Sequence, residues 1–86
     1  MKTADEMFKE LGYRKTKNYN PGTMLHYIRS SNLSANEFEH IEFLYNKKIN
    51  FRYTYCSFNK NINMKELQVI NKKCKELGWI EWPSKS

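Results

Sequence analysis

From Ile41 to Tyr55 the chain reads IEFLYNKKINFRYTY, and no other stretch restricts the fold as strongly. Ile41, Phe43 and Tyr45 alternate with Glu42 and Leu44. Ile49, Phe51, Tyr53 and Tyr55 alternate with Asn50, Arg52 and Thr54. A period of two marks a strand with one buried face. Asn46-Lys47-Lys48 separates the runs, so they read as an antiparallel hairpin. Pairing Tyr45 with Ile49 sets Phe43 opposite Phe51 and Ile41 opposite Tyr53, with Glu42 opposite Arg52 on the other face. A slip by one residue would oppose apolar and polar side chains throughout. The odd-numbered side chains from Ile41 to Tyr45 and from Ile49 to Tyr53 are therefore expected to point inward.

Such a face needs cover, and two amphipathic segments can supply it. In the first, Thr3 and Glu6 are spaced as a capping box, and Ala4, Met7, Phe8 and Leu11 share one side. The second runs from about Met64 to Leu77, capped by Asn63 with Glu66 reaching back. Its expected buried stripe is Met64, Leu67, Ile70, Cys74 and Leu77, with Lys65, Gln68, Lys72 and Glu76 facing water. Both segments end in nearly the same word, KELGY at Lys9–Tyr13 and KELGW at Lys75–Trp79. A glycine just past a helix takes the left-handed conformation, and the residue after it packs back on the last turn. The repeated word is thus a helix stop used twice, pairing Tyr13 with Phe8 and Trp79 with Cys74, and not a shared binding motif.

Between helix and hairpin, RKTKNYNPGT is polar and basic, and Asn20-Pro21-Gly22-Thr23 suits a type II turn. Met24 to Arg29 reads as a strand. Met24, His26 and Ile28 are about as apolar as Leu25 and Tyr27, which leaves its inward set open. SSNLSAN reads as a loop. In the tail, residues 80–86, Ile80 and Trp82 are expected to tuck onto the core before Pro83. The expected fold is α+β: helix, three-stranded antiparallel meander, helix, with both helices on one sheet face. The 86 residues suit one domain with a modest core.

Composition limits function. Apolar residues make up 40% of the chain and aromatics 15%, enough for a globular fold. No apolar run approaches a membrane span, and acids interrupt the N-terminal segment where a signal peptide would be apolar. Two cysteines, Cys56 and Cys74, without further pairs fit reduced, buried thiols in a cytoplasm. The formal net charge is +6, spread over several segments, which favours polyanions or acidic protein surfaces.

Signals for catalysis are weak. His26 and His40 lie in expected strands without metal-site spacing, so neither a metal nor another cofactor is expected. Cys56 and His40 could meet on the outer sheet face, but no third group orients them. Asp5 fits first-turn charge, and each glycine is used by a turn or helix stop, leaving no phosphate loop. The chain is read as non-enzymatic. Two binding surfaces stand out: the outer sheet face with His40, Glu42 and Arg52, edged by Lys47 and Lys48, and the basic segment Arg14, Lys15, Lys17. Basic residues on an open sheet can bind single-stranded nucleic acid. The hairpin aromatics, however, are expected on the buried side. An exposed edge strand also permits a dimer as well as a monomer.

The ends MKTADEMFKELGY and MKELQVINKKCKELGW resemble a family of small proteins from phages and prophages of low-GC Gram-positive bacteria. The resemblance implies an accessory protein in a bacterial host cytoplasm, with no assigned activity. Proteins of this setting and size often bind a host or phage protein stoichiometrically, including as inhibitors of host defences such as CRISPR effectors. Expected function is therefore protein binding, with nucleic-acid binding as the alternative.

Overall fold

The computed structural model describes residues 2–17, 20–32, 34–55 and 60–80. Helix α1 spans Ala4–Glu10 and is followed by strands β1 (Arg14–Thr16), β2 (Thr23–Ser30), β3 (Phe38–Leu44) and β4 (Ile49–Tyr53), then helix α2 (Met64–Glu76). The class is α+β, but the antiparallel sheet has four strands in the order β1-β2-β3-β4, not three. The additional strand is β1, which lies in the polar, basic stretch after α1. It pairs Arg14 with Ile28, Lys15 with Tyr27 and Thr16 with His26. Three polar residues show no hydrophobic period, so only the neighbouring strand reveals it.

Both helix starts follow their local rules. Thr3 and Glu6 close a capping box on α1, and Asn63 and Glu66 close another on α2. Both stops are Schellman motifs. Tyr13 N donates to Phe8 O at 3.0 Å and Gly12 N to Lys9 O at 3.0 Å; Trp79 N donates to Cys74 O at 2.9 Å and Gly78 N to Lys75 O at 3.0 Å. Gly12 and Gly78 carry the positive φ that this geometry requires, 93° and 76°. Tyr13 then meets Phe8 edge to face at 5.7 Å, and Trp79 reaches across to Phe43.

Leu25 and Tyr27 are the inward set of β2, facing Phe43 and Ile41 of β3. Phe8 stacks on Tyr27 at 4.1 Å and meets Phe43 edge-on, which seats α1 on the same face that Trp79 touches from the end of α2. Ala4, Phe8, Tyr13, Tyr27, Ile41, Phe43, Val69, Ile70 and Cys74 form the core. Aromatic pairs of this geometry add to their area burial.

The hairpin forms in a different register. Phe43 pairs with Ile49, Ile41 with Phe51 and Glu39 with Tyr53, two residues away from the expected pairing. A shift of two preserves both faces, so the alternation cannot detect it. Turn chemistry decides instead. Lys47 N donates to Leu44 O at 3.0 Å and Leu44 N to Lys48 O at 2.9 Å, with Lys47 in the left-handed region at φ 66°. This is a three-residue loop closing one pair earlier. Tyr45, expected inside, falls in that loop and is 67% exposed. The turn before β2 closes through Thr23 N to Asn20 O, but Gly22 lacks the positive φ of a type II turn.

The stripe of α2 also differs. Its buried residues are Glu66, Val69, Ile70, Lys73 and Cys74, whereas Met64 and Leu67, expected in the core, are 68% and 49% exposed. Ile70 and Cys74 are shared by both stripes. Ile80 is 41% exposed rather than tucked in; Trp82 and Cys56 lie outside the described residues.

Candidate functional site

The charged residues buried beneath α2 explain its rotation. At one end of the interlayer, Arg29 forks onto Glu39, Nε to Oε2 at 3.0 Å and Nη2 to Oε1 at 3.1 Å. The same Arg29 donates to Leu11 O at 2.9 Å and lies 4.4 Å over the Tyr13 ring. Lys60, with no exposed side-chain surface, bridges Glu39 at 3.1 Å and Glu66 at 3.0 Å, and the Tyr13 hydroxyl donates to Glu66. Burial pushes the Glu66 carboxyl up, but hydrogen bonds from Tyr13 and Lys60 outweigh it and hold it below its ordinary value. Burial and the adjacent carboxylate both raise Tyr13, so it stays a neutral donor. Two cations and two carboxylates thus close one polar clamp between sheet and α2.

A second clamp joins the helices to each other. Lys73 reaches Asp5 at 2.9 Å and Glu76 at 3.3 Å, Ala4 N donates to Glu76 Oε2 at 2.8 Å, and the Tyr27 hydroxyl donates to Asp5. Asp5, expected to serve the α1 dipole alone, is the hub of this group. Lys15 faces it at 3.7 Å on the inner face, and so is separated from Arg14, which lies on the outer face beside Ile28. Breaking one partner of the first, largely buried clamp leaves an uncompensated charge, a loss of about 3–5 kcal/mol; Asp5 is nearly half exposed, so the second clamp contributes less. These groups are bonded to one another and build structure; they are poor candidates for chemistry.

On the outer face the strand pairing lines up Arg14, Ile28, His40 and Arg52 in one row and Thr16, His26, Glu42 and Asn50 in the next. Glu42 accepts from Arg52 Nε and Asn50 Nδ2, each at 3.0 Å. The expected Glu42–Arg52 contact therefore forms, but diagonally. Glu42 is only 3% exposed and His40 only 8%, although neither described helix lies on this side; flanking side chains enclose the central strand. His26 Nε2 and His40 Nδ1 are 2.7 Å apart, the rings end to end with centroids 5.0 Å apart and planes inclined by 23°, and His40 Nε2 meets Thr54 Oγ1 at 2.7 Å. Burial, then the charges of Arg52 and His26, pushes the His40 pKa down to about 4. Burial also lowers His26. The pair is neutral at pH 7. Sequence reasoning missed it because His26 shares the outer face only if Leu25 and Tyr27 turn inward.

Lys47 and Lys48 are exposed at the hairpin tip beside Tyr45, and Lys17 is exposed just past β1. The nominated residues therefore divide into an enclosed outer-face group (His40, Glu42, Arg52), an exposed tip (Lys47, Lys48) and a dispersed β1 segment.

The outward side of α2 is different in kind. Met64, Leu67, Gln68 and Asn71, with the buried Ile70 and Cys74 beneath them, line an open, mainly apolar groove of about 480 Å³. The chain as a whole is positive. Cys74 is a free thiol at its floor, raised above its ordinary pKa by burial.

Among the described residues no helix is long and apolar enough to cross a membrane, and no group of three or more His, Cys, Asp or Glu is placed to hold a metal ion. The described residues form a small α+β fold with a polar-clamped interlayer and an open apolar groove along α2. Comparison with protein-family models, with curated proteins and with solved structures returns no match.

Proposed function

We propose that this chain is a small protein-binding module that docks through the outward groove of α2, without catalytic activity of its own. The observation that carries this reading is Met64 and Leu67, 68% and 49% exposed on a helix already held by its opposite side. A helix needs only one stripe to anchor itself, and a contiguous exposed apolar patch rimmed by polar groups marks an interaction surface. The occupant is an apolar segment of an acidic protein. The chain's charge of +6 repels a second copy and attracts an acidic surface. The resemblance of both ends to phage and prophage proteins supports a host or phage protein as partner, and inhibition of a host defence such as a CRISPR effector as the setting. Capture of proteins from the bacterial host during phage infection tests this. A stoichiometric acidic partner is expected with the wild type and lost with Met64→Lys/Leu67→Lys. Equal capture by both would remove the groove from the interface.

One observation favours nucleic acid as a second reading: Tyr45 stands exposed beside Lys47 and Lys48, a stacking ring next to phosphate-binding charge. Against it, Phe43 and Phe51 face the core and Arg52 is bonded to Glu42. Binding that steepens at low salt and disappears on neutralising Lys47, Lys48 and Arg52 would favour this reading. A flat titration at low salt would dismiss it.

A further inference from the structure

We infer that His26 and His40 form a two-histidine chelate for a borderline divalent transition-metal ion, Cu²⁺, Ni²⁺ or Zn²⁺, on the outer face of the sheet. The site is distinct from the α2 groove and does not depend on it. Its two ligand atoms, His26 Nε2 and His40 Nδ1, already face each other at 2.7 Å from adjacent, hydrogen-bonded strands. Metal–imidazole bonds of about 2.0–2.1 Å at a tetrahedral angle place two nitrogens about 3.3 Å apart. From this end-to-end arrangement the nitrogens must part by about 0.6 Å and both rings must tilt so that their lone pairs converge on the ion, a rotation that the broad χ2 wells of histidine allow.

A second arrangement points the same way. Thr54 Oγ1 donates to Phe38 O at 3.5 Å and so accepts from the Nε2–H of His40. With that bond His40 is the Nε2–H tautomer, and its Nδ1 lone pair is directed at His26. Metal-bound histidines are oriented in this way, by a hydrogen bond from the other ring nitrogen. His26 donates its Nε2 proton to His40 in the metal-free pair. On binding, that proton moves to His26 Nδ1, and both imidazoles remain neutral, as a metal requires.

The surrounding charge is balanced. Glu42 of β3 and Arg52 of β4 neutralise each other at 3.0 Å. Arg14 of β1 adds a positive charge and Glu37, before β3, a negative one. Imidazole selects borderline metals over Mg²⁺ and Ca²⁺, and affinity should rise towards Cu²⁺.

Titration of the untagged chain at neutral pH with Cu²⁺, Ni²⁺ or Zn²⁺ alone, followed by calorimetry, tests the site. One-to-one saturable binding is expected, absent with Mg²⁺ or Ca²⁺ and abolished in His26→Ala. Thr54→Val, which removes only the orienting hydrogen bond, should weaken binding about 10-fold. Nuclear magnetic resonance of the wild type provides a readout independent of variant folding: Ni²⁺ or Cu²⁺ should broaden the His26 and His40 imidazole resonances first. Absence of saturable binding at a large excess of metal would overturn the proposal. So would binding undiminished in His26→Ala, or broadening centred elsewhere on the chain.

Discussion

The two sides of α2 invert the usual assignment of residue types. Its inward side buries Glu66 and Lys73, 2% and 7% exposed, while its outward side leaves Met64 and Leu67 in solvent. The inward charges are tolerated because each meets fixed partners: Lys60, Tyr13 and Arg29 for Glu66, Asp5 and Glu76 for Lys73. A charge buried with partners orients a helix as firmly as an apolar side chain, because no other rotation satisfies it. An apolar side chain left outside has no such demand met within the described structure. The contrast separates residues that hold the fold from residues available to a partner.

The largest expected effect falls on the inward side. Glu66→Ala removes the acceptor shared by Lys60 and Tyr13 and should destabilise by about 3–5 kcal/mol in denaturant unfolding. A loss below about 1 kcal/mol would mean that the clamp is solvated and does not orient α2. Ile70→Ala, on the same side and 5% exposed, should cost about 2–5 kcal/mol.

Acidification extends the comparison to the two faces of the sheet. His40 titrates near 4 when folded against 6.5 for the ordinary group. Its contribution is therefore complete above pH 6.5 and is lost as pH falls towards 4, because the unfolded chain takes up the proton first. Partial exposure of the pair limits the loss to about 2 kcal/mol. The inner carboxylates Asp5, Glu39 and Glu66 are depressed below their usual values, so their contributions persist above the unfolded pKa and fail only in stronger acid. Stability measured between pH 6.5 and 5 should thus decline in the wild type and decline less steeply in His40→Gln, where only His26 is still held below its ordinary value by burial. A level wild-type curve would contradict the buried histidine pair.

Smaller effects sit at the chain reversals. Gly12→Ala and Gly78→Ala should each cost about 1–2 kcal/mol through backbone strain alone, since an added Cβ meets no close neighbour at either position. Lys47→Gly, at φ 66°, should stabilise by about 1 kcal/mol. Thermal unfolding distinguishes these signs directly.

Much of the fold was readable locally. Capping boxes and Schellman stops depend on residues within a few positions, so Thr3, Glu6, Asn63, Glu66, Gly12 and Gly78 announce both helices. What escaped depends on partners distant in sequence. Strand β1 has no pattern of its own and exists by pairing with β2. The hairpin register turned on Lys47 accepting a left-handed conformation usually left to glycine or asparagine. The observed stripe of α2 differs from the expected one because Val69 packs inward in place of Met64 and Leu67, and because the buried charges Glu66 and Lys73 belong to it. With those two included, 66, 69, 70, 73 and 74 form the helical series that packs inward. Of the candidate surfaces, His40, Glu42 and Arg52 were found as an outward group, but their burial and the contact with His26 required the strand pairing.

The division between the two sides of α2 is tested most directly by the unfolding free energy of Leu67→Lys. Exposed as this leucine is, the substitution should change stability by no more than about 0.5 kcal/mol, as for other surface positions. A loss of about 2 kcal/mol or more, the cost typical of a core leucine, would place Leu67 inside and close the groove on which the binding reading rests.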